Sequence, residues 1–170
     1  MKTISCADIA ALRTIPAGAL VALEGTLITL RDGALARMVE EKKRGEAMPV
    51  VLEGRIVFFA GPTPGIERGR GAIGPTTSRR MVPYFPLLAD CGIAAIIGKG
   101  SLDEDSSVFL RRVGICYVQA IGGAGAFYGS RVTHVKIIGY EGLGPEAIYE
   151  LTVRDFIVMM SSDGISDWRP

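Results

Sequence analysis

The chain has 170 residues, of which 48% are hydrophobic and 22% charged, and its formal net charge is +1. This length allows one substantial core, and we expect residues 1–170 to form a single domain. A nearly neutral chain lacks the basic surface that nucleic-acid binding requires, and its apolar runs are too short to cross a membrane. We therefore expect neither nucleic acid nor a membrane as a partner.

The cysteines point to a reducing compartment. Cys6, Cys91 and Cys116 are odd in number and show no CxxC spacing. This pattern argues against a disulfide framework and against a metal site held by this chain alone. The first residues also lack the long apolar core of a signal peptide. The sequence therefore predicts a cytoplasmic protein with buried thiols and no metal ligands of its own.

Short apolar runs alternate with helix-forming segments, which is typical of an α/β fold with a mixed sheet and short helices. Strands are predicted at residues 20–30, 49–52, 55–60, 92–98, 114–120, 132–140 and 152–160. Helices are predicted at residues 6–12, 34–43, 80–89, 104–112 and 122–129, with another starting at 144. Gly25 predicts a bulge in its strand, Asp32 an N-cap, and Pro145 a helix start.

Residues 61–81, GPTPGIERGRGAIGPTTSRRM, form a loop rich in glycine and proline. Glycine permits close backbone approach, and proline stiffens the chain. Hydroxyl and cationic side chains stand near the end of the loop: Thr76, Thr77, Ser78, Arg79 and Arg80. A stiff, cationic loop that carries hydroxyls favours a small anion, and the alternative is a purely structural connection between strands.

Cations also follow predicted strands at Arg31, at Arg79 or Arg80, and at Lys99. Arginine binds a carboxylate with two parallel N–H donors, and lysine adds a point charge. The group could hold a small dicarboxylate, although any one of these residues is more simply a solvated surface charge.

Three other patterns carry less weight. Residues 69–74 match GxGxxG, but Pro75 follows, and the segment does not open a helix after a strand, so the evidence for nucleotide binding is weak. His134 lies alone in a predicted strand and favours a core or surface role over that of a ligand or base. The acidic run at residues 103–105 is most simply a solvated helix start.

Several segments together resemble one family. They are LRDGALAR at residues 30–37, GPTP…GAIGPTTSRRM at 61–81, IGKG at 97–100, GGAGAFYG at 122–129 and GYEGLGPEAIYELTVRDFIVMM at 139–160. The chain is similar to the β subunit, or C-terminal domain, of the class I fumarase and L-tartrate dehydratase family of iron–sulfur hydro-lyases. The resemblance covers almost the whole chain.

The resemblance implies a swivelling β/β/α domain and the reversible addition of water to fumarate to give L-malate, or dehydration of a related hydroxy-diacid such as tartrate. It also implies a [4Fe–4S] cluster acting as a Lewis acid, with its cysteine ligands in a separate α subunit. This chain would then be active only with that α subunit, and it could form a homodimer when isolated.

The resemblance also assigns roles to four residues. Arg31 and Arg80 would anchor substrate carboxylates, Lys99 would make a further polar contact, and Thr76 would accept the proton that leaves carbon. Leu35 departs from the pattern, because relatives often have histidine at that place.

Two other functions stay open on the sequence alone. One is a non-catalytic domain that binds a small anion, and the other is a nucleotide-binding domain based on the GxGxxG match. The sequence does not choose between fumarate, tartrate and similar diacids, because half of the pocket would belong to another chain.

Overall fold

A computed structural model describes residues 1–68 and 71–162 of the chain. The strands in that part are β1 (Lys2–Ser5), β2 (Leu20–Thr29), β3 (Ile56–Phe58), β4 (Ala60–Pro62), β5 (Ile73–Pro75), β6 (Ala95–Gly98), β7 (Cys116–Gln119), β8 (Val132–Gly139) and β9 (Ile148–Ser162). The α-helices there are α1 (Ile9–Arg13), α2 (Asp32–Lys43), α3 (Phe85–Asp90), α4 (Glu104–Val113) and α5 (Gly125–Ser130). Short 3₁₀ turns occupy Ile66–Arg68, Ser78–Arg80, Val82–Tyr84 and Glu141–Glu146.

The main sheet closes on itself. β2, β3, β6 and β7 lie side by side and run parallel. The long strand β9 runs antiparallel to both β7 and β2, so it completes a ring of strands. β1 pairs with β2, and β8 pairs with the first half of β9. Closure leaves few unpaired strand edges, and it fixes the ends of the parallel strands relative to one another.

The central strands are buried on both faces, which explains their nearly continuous apolar sequence. In β3, Ile56 and Phe58 pack inside the ring, whereas Val57 packs in the layer between the sheet and the helices. β6 repeats this arrangement, with Ile97 inside and Ile96 outside. Burying each side chain of this size contributes about 1.5–3 kcal/mol to the free energy of folding.

Most predicted elements are confirmed, and so is the mixed α/β class with short helices. The bulge predicted at Gly25 is confirmed: the pairing of β2 with β9 shifts register between Leu23 and Gly25, where the glycine has a φ of 118°. No helix within residues 1–68 or 71–162 is both long and apolar enough to cross a membrane.

Two strand predictions near the loop at residues 61–81 are corrected. Residues 49–52 form no strand: Val51 is 83% exposed, and Gly54 turns the chain into β3 with a φ of 68°. The predicted strand at 55–60 ends at Phe58, after which the chain leaves the main sheet. β4 pairs instead with β5 in a small two-stranded sheet.

Two predicted helix starts are also wrong. Arg31, not Asp32, is the N-cap of α2, and Asp32 is the first helical residue. No long helix follows Pro145, because Gly144 adopts φ 56° and ψ −122°, and the chain enters β9 at Ile148. Pairing with β2 and β8 outweighs the local preference of Pro145 for a helix start.

Candidate active site

The parallel strands of the ring end at one edge of the sheet, and predicted site residues lie there. Arg31 stands two residues after β2, and Lys99 is the first residue after β6. Thr76 follows β5 and donates its backbone N–H to the carbonyl of Phe59, next to the end of β3, over 2.6 Å. Ligands of α/β folds bind at the carboxyl ends of parallel strands, so this edge is the candidate site.

A buried hydroxyl group joins the threonine loop to the lysine loop. Ser78 is fully buried, and its Oγ accepts the backbone N–H of Lys99 over 3.0 Å. The backbone N–H of Ser78 donates in turn to the Lys99 carbonyl over 3.1 Å, and Thr77 forms a parallel β-bridge with Lys99. Two loops that are distant in sequence are therefore held together at the site.

Tyr117 extends this network from β7. Its Oη lies 2.8 Å from Ser78 Oγ and 2.6 Å from the carbonyl oxygen of Gly100. Because a phenol has one hydrogen, Tyr117 donates to the carbonyl and accepts from the Ser78 hydroxyl. Burial raises the pKa of Tyr117 to about 12, although its contact with Ser78 acts in the opposite direction. At neutral pH the phenol is therefore protonated and can act as this donor.

Both candidate arginines have carboxylate partners within the chain. Arg31 Nη2 lies 3.2 Å from Glu146 Oε1, and three quarters of the arginine side chain is buried. Arg80 Nη2 lies 2.9 Å from Asp32 Oδ2, but the Arg80 side chain is 58% exposed. An ion pair this exposed contributes at most about 1 kcal/mol, so Arg80 can exchange Asp32 for another carboxylate. Because Asp32 is adjacent to Arg31, this pair brings Arg80 to the same edge.

Among the described residues, the Lys99 side chain has no carboxylate partner. Its side chain is half-buried, and a Cβ on Gly122 would lie 3.4 Å from its Cδ. Its ammonium group forms no ion pair within residues 1–68 and 71–162. The ammonium group therefore remains available for a bound anion.

The sequence matches a known family over this fold. Residues 4–167 match the family model described as "Fumarase C-terminus".

The chain belongs to the fumarase C-terminus family.

Relatives of this fumarase C-terminus chain carry names of two enzymes. It is 33% identical over 163 residues to the "Putative L(+)-tartrate dehydratase subunit beta" of Methanocaldococcus jannaschii, a match that covers 91% of this chain and 84% of that protein. It is 32% identical over 144 residues to the "Fumarate hydratase class I, aerobic" of Salmonella typhimurium, covering 83% of this chain and 25% of that protein. It is also 33% identical over 163 residues to the "Putative fumarate hydratase class I" of Geobacillus stearothermophilus, covering 91% of this chain and 31% of that protein. The chain thus spans about a quarter to a third of the fumarate hydratases it matches.

Leu35, at the position where the resemblance leads us to expect histidine, is part of the core. Leu35 is fully buried between α2 and the sheet and packs in the outer layer of this fumarase C-terminus fold. Its backbone N–H donates to the Arg31 carbonyl over 2.9 Å, within the first turn of the helix. Leu35 therefore stabilises the helix that carries Arg31, and its own side chain is not part of the candidate site.

The weaker sequence patterns add nothing to the site. Gly69 and Arg70 of the GxGxxG match lie outside the described residues, and its last residues belong to β5 rather than to the start of a helix. His134 is exposed on β8, in agreement with a surface role. Asp103 caps α4 by accepting the backbone N–H of Ser106 over 2.9 Å.

The described residues do not fit an iron–sulfur cluster. In residues 1–68 and 71–162, no group of three or more His, Cys, Asp or Glu side chains could hold a metal ion. Cys6 and Cys116 lie inside the ring, whereas Cys91 packs in the outer layer on the other face of the sheet. Burial raises the pKa of the Cys6 thiol to about 12 and also raises that of Cys91, so both stay protonated at neutral pH. A cluster needs thiolates that converge, and these cysteines do not supply them.

Sequence reasoning missed two partners in this site. Tyr117 was predicted only as part of a buried strand, although a phenol in an apolar strand requires a hydrogen-bond partner, and that requirement is a usable signal. Glu146 was predicted as a helix-start residue, and nothing local indicates its contact with Arg31.

Gly98→Ala is expected to destabilise the fold. A Cβ at this position would lie 1.8 Å from Ser78 Oγ and 2.9 Å from Tyr117 Oη. Ser78 can avoid the clash only by giving up its hydrogen bonds to Lys99 and Tyr117. Overpacking of this kind costs about 1–3 kcal/mol. In a chain of this size, the melting temperature followed by circular dichroism should fall by roughly 2–12 °C.

Gly74→Ala is the matched control, because a Cβ there would meet nothing within 4 Å. Its melting temperature should stay close to that of the wild type. In the double variant Gly98→Ala/Ser78→Ala the clashing oxygen is absent, so this variant should melt above Gly98→Ala alone. Equal melting temperatures for the wild type and Gly98→Ala would refute the packing argument.

Proposed function

We propose that this chain is the β subunit of an iron–sulfur hydro-lyase that adds water to fumarate to give L-malate. It would be active only when combined with a separate α subunit. The observation that carries the proposal is that Arg31, Thr76, Arg80 and Lys99, from three separate segments, lie at one edge of the sheet. The family membership and the names of the relatives support the same reaction.

The cations account for dicarboxylate binding. Arg31 offers a planar fork of N–H donors to one carboxylate, and Arg80 and Lys99 offer charge to the other. Each charge-assisted hydrogen bond contributes roughly 1.5–3 kcal/mol. Arg80 and Lys99 also stabilise the negative charge that builds on the carboxylate they hold when the neighbouring carbon loses its proton. One set of residues therefore serves both binding and the proton-transfer step.

Thr76 is assigned the proton transfer at carbon. In the dehydration direction its Oγ1 accepts the proton, and in the hydration direction it returns the proton. An alcohol is a weak base at neutral pH, so this role requires nearby positive charge that stabilises the alkoxide. Arg80, four residues on in the same loop, is the residue that we assign to supply that charge.

The cluster is assigned to the α subunit. Residues 1–68 and 71–162 lack a convergent set of thiolates, so none of them is assigned as a ligand of the cluster. When bound by its own subunit, such a cluster supplies a Lewis acid for the oxygen that is added or removed. The β subunit supplies anion binding and proton transfer, and the site is complete only at the interface of the two chains.

An L-tartrate dehydratase β subunit is the second candidate. One observation favours it: the match covers 84% of the tartrate dehydratase β subunit but only 25% of the Salmonella fumarate hydratase. Tartrate differs from malate by one hydroxyl, and a site that hydrogen-bonds this hydroxyl separates the two diacids strongly.

A diacid panel tests the proposal and separates the candidates. The reconstituted complex of this chain and its α subunit would be assayed with fumarate, L-malate and L-tartrate under anaerobic conditions. Turnover of fumarate and malate is the expected result. Turnover of tartrate alone would select the second candidate, and a complex that binds diacids without turnover would favour the non-catalytic anion-binding domain.

A further inference from the structure

The carboxylate of Glu146 bridges Arg31 and the start of helix α2. Its Oε1 lies 3.2 Å from Arg31 Nη2, and its Oε2 accepts the backbone N–H of Gly33 over 2.7 Å. The N-cap residue of α2 makes no side-chain capping bond of its own. Glu146 therefore supplies this cap from another segment, and the same carboxylate fixes one end of the guanidinium.

The stem of Arg31 is confined as well. A Cβ on Gly61 would lie 2.8 Å from Arg31 Cδ and 2.4 Å from the carbonyl oxygen of Pro145. The arginine stem thus lies close to the backbone of β4 and to the segment that carries Glu146. Contact at the stem and at Nη2 sets both the position and the plane of the guanidinium.

The segment at residues 140–147 is itself tied to α2. Tyr140 donates its hydroxyl hydrogen to Glu41 Oε2, near the end of the helix. The guanidinium of Arg37 lies 4.4 Å from the centre of the Tyr140 ring and also bonds Glu41. The segment is therefore attached to the helix at both ends, by Tyr140 and by Glu146, which makes Glu146 a rigid partner for Arg31.

This arrangement leaves donors of Arg31 for a ligand. Glu146 engages Nη2, whereas Arg31 Nε is buried and has no hydrogen-bond partner among the described residues. An unpaired buried donor is costly. A quarter of the Arg31 side chain stays exposed, so a carboxylate can approach the guanidinium there.

We propose that Glu146 is a positioning residue: it holds Arg31 so that the remaining donors of the guanidinium face the substrate carboxylate. The inference rests on the proposed function, because it concerns how this site binds a dicarboxylate. It adds a residue that binds no substrate itself and acts only through Arg31.

Glu146→Gln in the reconstituted complex is the test. A glutamine oxygen can still accept the Gly33 N–H, but the amide nitrogen then faces Arg31, so one contact is kept and the other lost. The melting temperature should change little, and KM for the diacid should rise about tenfold, the equivalent of one charge-assisted hydrogen bond. The value of kcat should change much less, because Arg31 binds the same carboxylate in the ground state and the transition state.

A double-mutant cycle with Arg31→Met separates a positioning role of Glu146 from a purely structural one. If Glu146 acts through Arg31, Glu146→Gln should have no further effect on KM in the Arg31→Met background. Glu141→Gln removes the same charge from an exposed position in the same segment, and it should leave KM unchanged. A purely structural role would lower the melting temperature and would affect both backgrounds alike.

Each outcome decides the inference. An active wild-type complex that is impaired by Arg31→Met, but whose KM does not change in Glu146→Gln, overturns the positioning role and leaves the proposed function standing. A wild-type complex that turns over no diacid overturns both. If Glu146→Gln fails to fold, Glu146→Asp keeps the negative charge but shortens the side chain by one carbon, so it cannot reach both Gly33 and Arg31 and should also raise KM; an unchanged KM there would also overturn the role.

Discussion

Thr76→Ala is expected to lower kcat of the reconstituted enzyme by roughly 10²–10⁴-fold, the contribution of a positioned acid or base. The substitution removes only the hydroxyl and a methyl group. The backbone N–H of Thr76 would still donate to Phe59, and its side chain makes no hydrogen bond to the described part of the protein. Assembly with the α subunit and the melting temperature should therefore be unchanged. Steady-state kinetics of fumarate hydration measures kcat, and gel filtration of the complex measures assembly.

The neighbouring threonine provides the control for this variant. Thr77 is exposed, and its backbone bridge to Lys99 does not require its side chain. Thr77→Ala should keep nearly full activity. Thr76→Ser retains a hydroxyl and should recover most of the rate lost in Thr76→Ala. A Thr76→Ala enzyme with the wild-type rate would remove Thr76 from the mechanism.

Arg31→Met is expected to reduce kcat/KM for the diacid by roughly 10²–10⁴-fold. The estimate follows from the loss of two charge-assisted hydrogen bonds of roughly 1.5–3 kcal/mol each, at about 1.4 kcal/mol per factor of ten. Most of the loss should appear in KM, because Arg31 holds a carboxylate that is present before and after the reaction. Initial rates over a range of fumarate concentrations separate the two parameters.

Arg44→Met is the matched control for this second variant. Arg44 stands at the opposite end of α2 and is paired with Glu46, so the chemical change is the same and only the location differs. It should have wild-type kinetics. Equal kcat/KM values for Arg31→Met and the wild type would exclude Arg31 from substrate binding.

Local sequence patterns were sufficient to predict much of the fold and the cationic residues of the site. The apolar runs that became β3 and β6 are recognisable because both faces are buried. Arg31 and Lys99 could be placed at an edge of the sheet because each directly follows a predicted strand. Gly25 marked a bulge because a residue without Cβ tolerates its positive φ.

The contacts that the sequence did not reveal join residues that are far apart along the chain. The closure of the ring by β9 against β2 depends on which distant strands pair, and no local pattern specifies this. The bond from Gly33 to Glu146 spans 113 residues, and that between Ser78 and Tyr117 spans 39. Local preference was misleading at Pro145, where pairing of the following strand decides the structure.

The most direct test of the half-enzyme proposal is fumarate hydration by the anaerobically reconstituted pair. This chain and its candidate α subunit would be mixed, the cluster rebuilt, and the loss of fumarate absorbance followed, with each subunit alone as a control. We predict turnover in the mixture and none in either subunit alone. A complex that forms with its cluster intact, but turns over neither fumarate nor another hydroxy-diacid, would contradict the assignment of this chain as a catalytic β subunit.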